Sequence, residues 1–67
     1  MGEPIATLRV RIERAQHSLV LARQAGHPYE AHLHRIHLEN LIESATRSGV
    51  DVDPWLDRAV LAIREDL

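Results

Sequence analysis

Residues 5–28 read IATLRVRIERAQHSLVLARQAGHP, and their spacing decides the fold. Ile5, Leu8, Ile12, Ala15, Leu19 and Ala22 follow one another at alternating steps of three and four. That is the a/d seam of a packed helix. Ala15 and Ala22 narrow the seam toward Gly26, so a facing helix can come close there. Gly26 supplies the left-handed cap that stops a helix. Pro28 suits the first position of the next, because its missing N–H has no intrahelical partner there. A Gly26-His27 connection is too short for anything but a fold-back. The expectation is an antiparallel helical hairpin.

The same punctuation recurs along the chain. Pro4, Pro28 and Pro54 each open a proline-free stretch, and Gly49 marks a second stop. Asp53 is a good N-cap before Pro54. Helices are expected at about 4–25, 28–48 and 54–66. The fold class is therefore all-α: a hairpin plus a shorter third helix, forming one domain over 1–67. In the SGVDVDP linker at 48–54, Val50 and Val52 are expected to tuck inward.

The second helix carries two apolar groups. Tyr29, Leu33 and Ile36 lie on one side of its first half. Leu38, Leu41, Ile42 and Ala45 lie nearly opposite on its second half, since each residue advances the helix by about 100°. One neighbour cannot cover both. The third helix offers Leu56, Val60, Ile63 and Leu67, with Trp55 and Ala59 beside them, but it is short. Val10, Val20, Leu21 and Leu61 also fall off the main seams. Leftover apolar surface marks interfaces. A chain of 67 residues buries only about 60% of its unfolded surface, which favours a partner. A homodimeric four-helix bundle is the expected assembly, with Leu38, Leu41, Ile42, Ala45, Trp55, Val10 and Leu21 as the interaction surface. On that view Leu41 is buried only in the dimer.

Composition excludes several classes. There is no cysteine, hence no disulfide and no thiolate zinc site. The longest apolar runs, LVLA and AVLAI, fall far short of the roughly 20 residues a membrane span needs. No basic-then-apolar leader opens the chain. The expected location is the cytoplasm. All eight basic residues are Arg, which the codon usage of a GC-rich bacterial genome accounts for. Net charge is −2, which gives no general attraction to nucleic acid. Arg9, Arg11, Arg14 and Arg23 spread around the first helix rather than forming one stripe. Asp53 and Asp57 would meet phosphates unfavourably at the start of the third. Ser18, Ser44 and Ser48 sit in no nucleophile elbow. Three glycines cannot make a phosphate loop. No enzyme and no cofactor is expected.

Four of the five histidines crowd into HPYEAHLHRIH, residues 27–37. A helix separates them. His32 shares a stripe with Arg35, Glu39 and Glu43, expected to be solvated and paired Arg35 to Glu39. Glu30, His34 and His37 share another side, and an antiparallel first helix would bring His17 near His37. Imidazoles and a carboxylate suit Zn²⁺, Ni²⁺ or Fe²⁺. Residues seven apart are about 10.5 Å apart along the axis, too far for one ion to gather easily. A second alternative is a pH-responsive contact, because free imidazoles titrate near pH 6.5. The reading carried forward is a non-enzymatic, self-associating interaction module with a regulatory, adaptor or assembly role. A His/Glu metal-binding bundle and a small DNA-associated regulator stand as alternatives.

Overall fold

The structure is a computed structural model and describes residues 3–63. Among the described residues three α-helices and a 3₁₀ turn follow in chain order: α1 Ile5–Gln24, α2 Pro28–Arg47, the turn Asp53–Trp55, and α3 Arg58–Ala62. No strand occurs among the described residues. The two long helices pack side by side as the expected hairpin, and the described chain extends 38 × 17 × 17 Å, two helices thick.

Both long helices end in the same way. After α1, the His27 N–H donates to the Ala22 carbonyl and the Gly26 N–H to that of Arg23. After α2, Val50 donates to Ala45 and Gly49 to Thr46. These paired bonds are Schellman motifs, which require a left-handed residue. Gly26 and Gly49 supply it, at φ +73° and +80°.

The core is the α1 seam against one line of α2. Leu8, Ile12, Ala15, Leu19 and Ala22 meet Ala31, Leu38, Leu41 and Ala45, with Val52 folded in from the linker. Val50 packs half-buried against them. Close to the turn the buried side chains are Ala22 and Ala31, so the helices approach most freely where the loop is shortest. The seam starts one step later than its spacing implies, because Ile5 is 60% exposed.

Leu38, Leu41 and Ala45 are buried within the single chain, so they are core rather than free surface. Leu41 in particular needs no second copy to be covered. Its half of α2 decides the phase of the whole rigid helix. The first half then presents Ala31 and Arg35 inward and leaves Tyr29, Leu33 and Ile36 outside.

The continuous third helix over 54–66 is not what forms. A 3₁₀ turn at Asp53–Trp55 is followed by extended backbone at Leu56 and Asp57, and α3 has five residues. Ile63 is extended again. Residues 64–67, including Leu67, lie outside the described residues. Asp57 causes the break: its carboxylate accepts the Ala59 N–H at 3.0 Å, a side-chain N-cap that restarts the helix. Asp53 is not the cap it resembles. It opens the 3₁₀ turn, and its N–H donates to Asp51 at 3.1 Å.

Candidate functional site

Three polar side chains tie the C-terminal segment to the hairpin. Gln16, buried in α1, uses both ends of its amide. Its Nε2–H donates to the Trp55 carbonyl at 2.7 Å, and its Oε1 accepts the Asp57 N–H at 2.7 Å. The clamp therefore satisfies the backbone on either side of Leu56, where no helix does so. Arg23 donates to the carbonyls of Val60 at 2.7 Å and Ile63 at 2.6 Å. Arg35 donates to those of Leu61 and Ile63, both at 2.6 Å. Cations belong at a helix C-terminus, where unpaired carbonyls carry partial negative charge.

Arg35 was expected on a solvated stripe, paired with Glu39. It is only 8% exposed and is committed to α3 instead. Its Nε has no hydrogen-bond partner among the described residues. Glu39 is left exposed, with no ion pair among the described residues. His32, expected to be exposed, is half-buried. It precedes Arg35 by one turn of α2.

The structure brings together only two of the four candidate metal ligands, Glu30 and His34. Glu30 and His34 line a shallow concavity beside the hairpin turn, with His27, Ser18 and Leu21. His17 lines a different one with Glu13, Gln16, Val20 and Trp55. The phase of α1 explains the separation. Gln16 points to the C-terminal segment, and His17 follows it away from His37. His37 is exposed on α2. Among the described residues no group of three or more His, Asp or Glu side chains is placed to hold a metal ion.

Of the expected interaction surface, Ile42 and Trp55 are half-buried against the core, and only Val10 and Leu21 are exposed. Those two stand eleven residues apart on α1, about 16 Å along the axis, with Arg14 and His17 between them. Single exposed apolar residues of this kind are ordinary. The contiguous apolar surface is elsewhere. Tyr29, Leu33 and Ile36 are 65%, 47% and 41% exposed and adjoin one another on the outer face of α2. The spacing of Tyr29, Leu33 and Ile36 defines this group, but not which half of α2 is left over.

A groove of about 370 Å³ runs between α2 and the C-terminal segment. Arg35, Glu39, Ile42, Glu43, Leu56 and Leu61 line it. Elsewhere the charges of α1 are largely occupied: Arg9 meets Glu13 at 3.2 Å and Arg11 meets Glu3 at 2.7 Å. No helix among the described residues is long and apolar enough to cross a membrane. No family model matches this chain, and no curated protein or solved structure matches it significantly.

Proposed function

We propose that this chain is a non-enzymatic helical interaction module whose first partner is a second copy of itself, docked through the outer face of α2. The observation that carries the proposal is the exposed line Tyr29, Leu33, Ile36, Asn40. Its steps are four, three and four, the spacing of a helix-packing seam. That series reads the same in both directions. An antiparallel copy therefore lays Leu33 on Ile36, Ile36 on Leu33, and each Tyr29 beside the other Asn40. Every residue meets its complement twice, as an isologous contact requires. A parallel copy instead stacks Glu43 on Glu43 and Arg47 on Arg47, which repel. Each copy of a standard interface covers about 800 Å², so the three apolar side chains form the centre while His32, His37 and Asn40 form part of the rim.

This contact differs from a four-helix bundle with one shared core. Here α2 meets α2, and the α1 helices stand outside. Sedimentation equilibrium tests it. Wild-type protein is expected to dimerise, and Leu33→Glu to be monomeric with an unchanged far-UV spectrum, because Leu33 is outside the hairpin core. A wild-type chain that stays monomeric at high micromolar concentration removes the proposal.

A further inference from the structure

A second surface, separate from the outer face of α2, has the makings of a recognition site. It is the groove between α2 and the C-terminal segment. Ile42, Leu56 and Leu61, all half-buried, give it an apolar floor. Glu39 and Glu43 stand on its α2 edge, one helical turn apart. Carboxylates at that spacing are close neighbours and repel unless a cation lies between them. The cation that the sequence places for Glu39 is Arg35, and Arg35 is turned to the carbonyls of Leu61 and Ile63. Among the described residues Glu43 meets only Arg47, at 3.9 Å, with both side chains largely exposed. The commitment of Arg35 to α3 thus builds the groove and strips its acidic edge of a counter-ion at the same time.

We infer that this groove takes a basic amphipathic segment of a partner protein. The partner sets an aliphatic side chain or an arginine stem on Ile42, Leu56 and Leu61. Its guanidinium bridges Glu39 and Glu43, an arrangement for which Arg is better shaped than Lys. The acidic edge turns away anionic lipid and nucleic acid, so the occupant is a polypeptide rather than a phosphate surface.

The test uses a fluorescent amphipathic Leu/Arg helical peptide as probe, with a Leu/Glu peptide of the same pattern as its counterpart. Binding is read by anisotropy and located by amide chemical shifts of the full chain. The Leu/Arg peptide is expected to bind and to shift Glu39, Ile42, Glu43, Leu56 and Leu61. Glu39→Gln/Glu43→Gln alters only exposed side chains and is expected to weaken binding roughly tenfold, about 1.4 kcal/mol. Equal binding of the Leu/Glu peptide overturns the inference. So does undiminished binding to the double variant, a shift pattern centred on Leu33 and Ile36, or no binding of the Leu/Arg peptide at millimolar concentration.

Discussion

Replacing Arg35 by Met keeps the apolar shaft and removes the cation. The structure allows the cost to be worked out. Two bonds at 2.6 Å, to the carbonyls of Leu61 and Ile63, are lost. A hydrogen bond from a charged group contributes about 1.5–3 kcal/mol. Against that, the variant no longer buries a guanidinium or leaves its Nε–H unpaired, a saving of about 1–3 kcal/mol. Ile63 is exposed and Leu61 half-buried, so water reaches part of what is vacated. The net loss is about 2 kcal/mol. In a domain of this size 1 kcal/mol moves Tm by roughly 4–8 °C, so Tm should fall by roughly 8–16 °C. Circular dichroism at 222 nm measures it. Hydrogen exchange locates it: the amides of α3 should lose protection, while those of Ile12 and Leu38 retain it under native conditions. Arg35→Lys should fall between, because one ammonium replaces a fork that reaches two carbonyls. A Met variant that melts with the wild type, or above it, refutes the view that this cation holds α3 in place.

Gln16→Leu leaves the Trp55 carbonyl and the Asp57 N–H without their partner and should cost about 2 kcal/mol, seen in the melt and as a change in Trp55 emission. Ala15→Leu inserts bulk where Ala15 is 5% exposed and should cost about 1–3 kcal/mol as overpacking; an unchanged Tm would mean the helices are not in close contact there. Gly26→Ala meets no atom within 4 Å, so its cost is conformational alone, about 1–2 kcal/mol for a left-handed non-glycine residue; chemical denaturation reads it. Leu41→Glu and Leu33→Glu should separate cleanly. The first places a charge in the hairpin core and should unfold the chain, whereas the second should keep the melt of a folded monomer.

The helix stops and the hairpin were legible because their causes are local. A Schellman cap depends on one glycine and the few residues before it, and the α1 seam depends on spacing within a single helix. The phase of α2 was harder. Its two apolar groups compete, and the winner is set by what α1 presents opposite. The line through Ala31, Leu38, Leu41 and Ala45 fits the small-residue end at Ala22, and a rigid helix then turns Tyr29, Leu33 and Ile36 outward. Ala31 carried the decisive signal and is easily passed over, since alanine is at home on any face. The histidines were separable by phase from sequence, but the side taken by His17 was not. It follows Gln16, whose partners lie 39 and 41 residues away.

Local chemistry alone specifies an all-helical chain, two long helices and where each ends, the fold-back at Gly26-His27, and the apolar seam from Ile5 to Ala22, of which packing leaves Ile5 exposed. Each follows from causes that reach five residues or fewer: the cap bonds run back five residues, and the apolar seam advances by three and four. Packing in three dimensions sets the rest: Arg35 is buried rather than solvated, Asp57 rather than Asp53 caps α3, and a groove with an acidic edge opens beside α2. Those outcomes turn on backbone groups of the C-terminal segment that need partners. The side chains that supply them stand on α1 and α2, 26 to 41 residues away along the chain, where no local preference reaches.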